Sequence, residues 1–541
     1  MSYELLTGLY LSESANADLT APEARARLHL STPLEDLVAA QVRAGRDVVL
    51  TGNPGDGKSH LVRTLLESGR LGSAVLELDL SARPTEEVLE AWQKARDARR
   101  AFVLCGNEGP LADLLGQLEG HASLGETGAE LRTQLGSLLV QRDADLPHVP
   151  RHAVLVDLAD RNVVDIALIE AALARVASED FLPNLGANST ETSAGRNLLL
   201  ILEANCRRRL AHALVAAGRH ASEHVTFRQL WGTIAYALTR AKKATALRAE
   251  LARDAVGLGT LPLDNLVHDG GRGQVLEAAR LFADPARVPD PELEEHLWST
   301  AQPGSGSWLI DDVPISEPPA RLWAVGDRAG ALRLQAQLKR LVALAHERGE
   351  ALIEGLGARK VLPSALADAD LLRLLVGGLR SLYVPPEEED VAPSWLRSGL
   401  PLWVGLSYKA GSPEARPHVA VSVRAAAEFE VRRPRRAPWL TDALGPLPEE
   451  AWLVHRASGV ALHVDAELVA TAELAARSSG PLAVPEAVQR FIARLSGWEE
   501  QGSAFLAGED RFAILSQPRG KIEAHGHVRA WAQGGASYGV G

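Results

Sequence analysis

The residues with the clearest chemical purpose lie in one octet, Gly52-Asn53-Pro54-Gly55-Asp56-Gly57-Lys58-Ser59, which matches G-x-x-x-x-G-K-[ST] throughout. Gly55 and Gly57 let the backbone enter conformations that side chains resist, so its N–H groups can turn inward around an anion. A helix opening at Lys58 aims unsatisfied N–H groups and its dipole at the same point. In that setting Lys58 is expected along the β- and γ-phosphates of a nucleoside triphosphate, with the Ser59 hydroxyl on Mg²⁺. The segment Gly52, Asn53, Pro54, Gly55, Asp56, Gly57, Lys58, Ser59 and His60 is thus the expected contact surface for a nucleoside triphosphate.

The motif carries meaning only between a strand and a helix. Asp47-Val48-Val49-Leu50-Thr51 reads as a buried parallel strand, and His60 to Leu66 is apolar at helical spacing without Gly or Pro. Upstream, Thr32-Pro33-Leu34-Glu35 has the form of a capping box with Pro at the first helical position. That helix runs through Leu37, Val38 and Val42 to Gly45 and leads into the first strand. Further strands read at Ala74–Leu80, Ala101–Gly106 and His152–Leu158, alternating with helical stretches. The pattern predicts a parallel α/β sheet with crossover helices, whose ligands collect at the carboxyl ends of the strands. Polar groups stand at those ends: Asp79, Asn107 with Glu108, and Asp160 with Arg161.

Hydrolysis of a γ-phosphate needs an acid to hold Mg²⁺, a group to orient water, and positive charge for the transition state. Asp79 and Glu108 compete for the acidic role, and Asp79 with Ser59 is the expected metal pair. Asp79 equally suits a helix cap with Ser81 nearby. Asn107 fits a polar group that orients water, while Asn107-Glu108-Gly109-Pro110 also fits a tight turn. Arg161 and Arg228 are the arginines best placed to approach a phosphate, with a surface ion pair as the plainer reading of each. His220 and His224 stand one helical turn apart, a spacing a zinc site can use, but no third ligand is evident and they read as structural. His525 and His527 read the same way, as does the acidic end of Trp308-Leu309-Ile310-Asp311-Asp312.

The chain has 541 residues, 46% hydrophobic and 23% charged, which predicts a soluble globular protein of three or four domains. No apolar run is long enough to span a bilayer, and Met1-Ser2-Tyr3-Glu4 lacks the basic start of a signal peptide, so no membrane partner is expected. Cys105 and Cys206 are the only cysteines, which excludes a disulfide scaffold and favours a reducing cytoplasm. A net charge of −12 excludes a basic nucleic-acid coat protein. Any DNA contact is confined to Arg207-Arg208-Arg209 or Arg432-Arg433-Pro434-Arg435-Arg436, where an ion-paired face is the favoured reading.

The expected organisation is an N-terminal arm (1–30), a P-loop NTPase core (31–184), a helical lid and helical region (185–384), a linker (385–395) and a C-terminal α+β module (396–541). Within the helical region Thr226 caps a helix, Gly and Asp-Pro signals over 251–300 predict loops, and 331–354 returns to helix. Pro385-Pro386-Glu387-Glu388-Glu389-Asp390 is the clearest linker, and Gly304-Ser305-Gly306-Ser307 reads as a flexible joint. In the last module, strands read at 402–408, 419–423, 452–456, 459–464 and 511–515, with a helix at 484–495.

The order of phosphate loop, acidic strand, Asn-bearing strand and helical lid resembles the AAA+ branch of P-loop ATPases. Thr51–Leu61, Cys105–Leu111 and Val156–Asn162 look like the ATPase of bacterial DNA-phosphorothioation-dependent restriction systems and related phage-defence ATPases. Val225–Trp231 adds a fourth match. The resemblance covers about the first 240 residues. It implies a Mg²⁺-dependent ATPase that forms a homo-oligomer and passes its nucleotide state to a partner effector protein or to DNA. The chain departs from the AAA+ pattern in lacking four apolar residues followed by Asp-Glu. That departure leaves room for a nucleotide-gated scaffold or sensor with little turnover.

Overall fold

The computed structural model describes residues 2–10, 22–140, 149–221, 224–252, 258–300, 318–357, 363, 366–383, 399–405, 418–433, 436–445, 451–478, 482–501, 512–515, 522–526, 528–531 and 537–540. The joint at 304–307, Trp308–Asp312, the linker at 385–395 and His527 lie outside the described residues. The chain forms two compact units, Met1–Arg359 with Arg435–Pro448, and Lys360–Pro434 with Glu449–Gly541.

The first unit opens with helices α1 (Ser2–Tyr10), α2 (Pro22–Leu28) and α3 (Pro33–Arg43), then β1 (Asp47–Thr51), α4 (Lys58–Glu67), β2 (Val75–Glu77), α5 (Thr85–Asp97), β3 (Phe102–Cys105), α6 (Glu108–Glu119), α7 (Gly125–Val140), β4 (Ala153–Asp157) and α8 (Ile166–Val176). The four strands form one parallel sheet in the order β2-β3-β1-β4. Side chains alternate across it. Val48, Leu50, Val103, Val154 and Val156 pack with α3 and α4 on one face. Val49, Phe102, Leu104 and Leu155 pack with Trp92 and α6 on the other. All of them are buried, which is why the strands read as continuous apolar runs. Asp47 starts β1 and accepts hydrogen bonds from Trp92 Nε1 (2.8 Å) and the Phe102 N–H (2.7 Å). At the β4 edge the buried Gln134 of α7 bonds both Ala153 O (3.0 Å) and the Leu155 N–H (2.9 Å), occupying groups that would otherwise invite another strand.

A helical region follows: α9 (Ser193–Leu200), α10 (Ala204–Arg219), α11 (Phe227–Thr239), α12 (Ala244–Leu251), α13 (Pro262–Leu266), α14 (Gln274–Phe282), α15 (Pro291–Thr300), α16 (Pro319–Ala324), α17 (Arg328–Ala345) and α18 (Gly349–Gly357). Thr226 caps α11 as expected: Thr226 Oγ1 accepts the Gln229 N–H at 3.3 Å, and Gln229 returns an acceptor to the Thr226 N–H at 2.9 Å. The loops expected over 251–300 are corrected to helices α13, α14 and α15. The Asp269-Gly270-Gly271 signal does make a turn, between α13 and α14, whereas the Asp-Pro signals act as starts. Asp284 caps a short 3₁₀ turn, and Pro291 is the first residue of α15.

The described residues of the arm, 2–10 and 22–30, are likewise built into the fold. Tyr3, Leu6 and Leu9 of α1 are buried in the core of the helical region, and Tyr3 Oη donates to Lys242 O at 2.7 Å.

The second unit contains α19 (Asp368–Ser381), β5 (Gly399–Gly405), β6 (His418–Ala425) and β7 (Phe429–Arg432). The chain then returns to the first unit as α20 (Pro438–Leu444), whose Leu440 and Leu444 share the sheet-face core with α3. It resumes in the second unit with β8 (Ala451–His455), β9 (Ala461–Val464), α21 (Ala466–Arg477), α22 (Glu486–Gln501), β10 (Phe512–Leu515), β11 (Ile522–Gly526), β12 (Val528–Trp531) and β13 (Ser537–Val540). Its strands are antiparallel, in the orders β11-β10-β6-β5, β7-β8-β9 and β12-β13. Helix α19, assigned from sequence to the helical region, buries Leu371, Leu375 and Leu379 in this unit's core. No helix among the described residues is long and apolar enough to cross a membrane.

Candidate functional site

At the carboxyl end of β1 the backbone turns through three glycines at positive φ: Gly52 (125°), Gly55 (105°) and Gly57 (91°). Gly57 is the N-cap of α4 in a left-handed conformation, and no side chain caps that helix. The first-turn N–H groups of α4 therefore face outward without intrahelical partners. Between Gly52 and Lys58 only Asp56 has a buried side chain. Its Oδ2 accepts the Asn53 N–H at 2.6 Å, bracketing the loop from within.

Lys58 folds back over this loop. Its Nζ donates to Gly52 O (2.7 Å), Asn53 O (3.0 Å) and Asn107 Oδ1 (3.0 Å). Burial holds the ammonium's pKa below its ordinary value, against the opposing pull of Asp56, Cys105, Asp157 and Asp79. Ser59 Oγ donates to Leu78 O at 3.1 Å, one residue past β2.

A cavity of about 380 Å³ opens beside the loop, within the range of small-molecule sites. Its walls bring together Pro54, Gly55, Asp56, Gly57, Lys58, Ser59, His60, Asp79, Asn107, Arg161 and Arg228. Gly52 and Asn53 meet Lys58 through their carbonyls. Glu108 is not on the cavity wall; it is the exposed first residue of α6, for which Asn107 is the N-cap. Asp79 is exposed and its Oδ1 accepts the Ser81 N–H at 2.9 Å, the capping role weighed from sequence. β2 is correspondingly shorter than expected, ending at Glu77.

Arg161 lies with its guanidinium 4.5 Å from the Phe227 ring centroid, and burial pulls its pKa down to about 10, leaving it charged at neutral pH. Asp157 ends β4 in register with Thr51 of β1. Burial pushes its carboxyl up to about 7, although its Oδ1 accepts the Ala159 N–H at 2.9 Å.

Some wall residues carried no signal in the sequence. Arg25, Leu28, His29 and Leu30 reach the cavity from α2 and the residues after it. His29 Nδ1 lies 3.2 Å from His60 Nε2, and its Nε2 lies 3.1 Å from Glu35 Oε1. Burial, then the charges of His29 and Arg25, draw the His60 pKa down to about 4. His224, considered from sequence only beside His220, instead has its Nε2 2.9 Å from Asp56 Oδ1. His220 packs its ring 5.0 Å from that of Phe282. Among the described residues no group of three or more His, Cys, Asp or Glu side chains is arranged to hold a metal ion.

The basic clusters have protein partners. Arg207 donates to Ile201 O at 2.9 Å, Arg208 pairs with Glu350 at 3.4 Å, and Arg209 donates to His346 O at 2.5 Å. Arg432 pairs with Glu430 at 2.5 Å and Arg433 with Asp368 at 2.6 Å, while Arg436 donates to Gly445 O and Asp160 O.

Comparison of the chain with models of known protein families, with curated proteins and with solved structures finds no match.

Proposed function

We propose that this chain binds Mg·ATP in the cavity beside the glycine loop and hydrolyses its γ-phosphate. In this reading it serves a bacterial defence or restriction system, passing nucleotide state to a partner effector or to DNA. One observation carries the proposal: an uncapped helix start, a loop of positive-φ glycines and the Lys58 ammonium converge on one cavity at the carboxyl ends of parallel strands. The four segments that resemble restriction-system ATPases supply the defence context.

Lys58 would exchange its two loop carbonyls for phosphate oxygens, trading neutral acceptors for charged ones. The outward N–H groups of the first α4 turn would take further phosphate oxygens. Asn107 stays beside Lys58 and can orient a water molecule, while Arg161 supplies fixed positive charge. Oxygen ligands from Ser59 and Asp79 suit Mg²⁺, which favours one or two protein oxygens beside phosphates and water. Bound Mg²⁺ would offset charge building on the β- and γ-phosphate oxygens.

A second reading has its own support. Asp79 already caps Ser81, and Glu108 stands off the cavity wall, so neither acid is dedicated to activating water. This favours a nucleotide-gated scaffold or sensor that assembles on ATP with little turnover. Calorimetry with Mg·ATP on the wild type and Lys58→Ala tests binding. Steady-state phosphate release, beside oligomer mass with and without a non-hydrolysable analogue, separates the two readings. No heat of binding to folded wild-type protein would remove both.

A further inference from the structure

A loop built on three positive-φ glycines has little of its own to hold its shape, because glycine restricts the backbone least of all residues. Asp56 is the one buried side chain between Gly52 and Lys58. The carboxylate is 2% exposed, so both oxygens need partners. Oδ2 takes the Asn53 N–H from within the loop, and Oδ1 faces His224 Nε2 at 2.9 Å. A carboxylate only accepts, so that imidazole nitrogen carries the hydrogen.

His224 comes from 168 residues further along the chain, directly ahead of α11, and is itself fixed there. Its carbonyl accepts Gln274 Nε2 of α14 at 3.1 Å, and the same amide reaches Gln229 Oε1 at 3.2 Å. Two residues into α11, the Arg228 N–H donates to Gly55 O at 3.2 Å. The helical region thus grips the loop at two successive residues, Gly55 and Asp56. With both oxygens engaged, the Asp56 carboxylate is also kept from swinging toward an incoming polyphosphate.

We propose that His224 is a positioning residue for this loop: its hydrogen bond to Asp56 locks the glycine turn in the shape that cradles a polyphosphate. The inference rests on the nucleotide-binding reading above. The chemistry held is the triphosphate tail, so the base plays no part in the effect.

The test compares wild type, His224→Ala, His224→Gln and Lys58→Ala. Titrations with Mg·ATP and with magnesium tripolyphosphate should show His224→Ala weakening both ligands by the same factor, roughly ten- to a hundredfold for a bond to a charged group. His224→Gln, which keeps a donor, should recover most of the loss. Without any nucleotide, amide hydrogen exchange over residues 53–57 should quicken in His224→Ala and return toward wild type in His224→Gln. Unchanged affinities and exchange in a folded His224→Ala protein, alongside lost binding in Lys58→Ala, would overturn the latch and leave the nucleotide site standing. Failure of wild type to bind either ligand would overturn the reading beneath it.

Discussion

Lys58 Nζ donates to Asn107 Oδ1 at 3.0 Å, tying the first residue of α4 to the N-cap of α6, two residues past β3. The bond crosses between neighbouring strands of the sheet and holds the ammonium over the glycine loop before any ligand arrives. Removing the cation and removing its guide should therefore have different kinetic signatures. Lys58→Ala is expected to lower Mg·ATP affinity by about a hundredfold or more, since charge-assisted bonds reach about 3 kcal/mol. Asn107→Ala leaves two carbonyls to hold Lys58, so affinity should fall by less than about tenfold, while phosphate release falls further than binding does. Calorimetry and steady-state release on the two variants check this. Equal losses in both assays for both residues would contradict it.

Asp157 makes a pH prediction that needs no ligand. Its folded pKa is raised by burial from 3.8 to about 7. Between about pH 4 and 7 the folded protein keeps a proton that the unfolded chain has released. Stability therefore falls as pH rises through that window and levels above it. Asp157→Asn keeps an acceptor for the Ala159 N–H and has no charge to bury. Its unfolding midpoint should exceed wild type at pH 8, by an amount corresponding to at most about 4 kcal/mol, and match it near pH 4. A lower midpoint at pH 8 would refute this account.

How much of this was legible beforehand depends on range. β1 runs over Asp47–Thr51 and the capped helices start at Pro33 and Phe227, as local rules predict. The parallel sheet, and strands β5, β6, β8, β9 and β10 of the second unit, were also visible in local pattern, whereas β7 and β11 to β13 were not. The error came where one signal has two uses: Asp290-Pro291 reads as a turn and instead opens α15. The remaining gaps are long-range. Nothing near Tyr3 announces that its hydroxyl meets Lys242, and nothing near Asp56 points to His224. Helix α20 is the extreme case, since it is flanked in sequence by segments of the second unit and only tertiary packing assigns it to the first.

That packing should be measurable. Leu444 is 2% exposed and shares a core with Leu34 and Val38 of α3, the helix that leads into β1. Leu444→Ala should leave a cavity and cost about 2–5 kcal/mol of local stability. Hydrogen exchange in α3 should quicken, with exchange in α21 of the second unit unchanged. Protection lost equally in both helices would mean that α20 does not belong to the first unit's core.

Two glycines of the loop offer a sharper contrast. A Cβ at Gly52 would stand 2.8 Å from Asp56 Oδ2 and 3.0 Å from the Ala159 backbone nitrogen, at φ 125°. One of these neighbours has to move, and either shift disturbs the bracket that Asp56 makes with Asn53. A Cβ at Gly57 meets nothing within 4 Å, so Gly57→Ala carries only the left-handed backbone penalty, about 1–2 kcal/mol. Gly57 nonetheless lines the cavity. Thermal unfolding should thus rank Gly52→Ala well below Gly57→Ala, which loses only that backbone penalty. In calorimetry with Mg·ATP both should bind poorly, Gly52→Ala because the loop is deformed and Gly57→Ala because its new methyl occupies ligand space. A Gly57→Ala protein that binds as tightly as wild type would show that no phosphate rests against that turn.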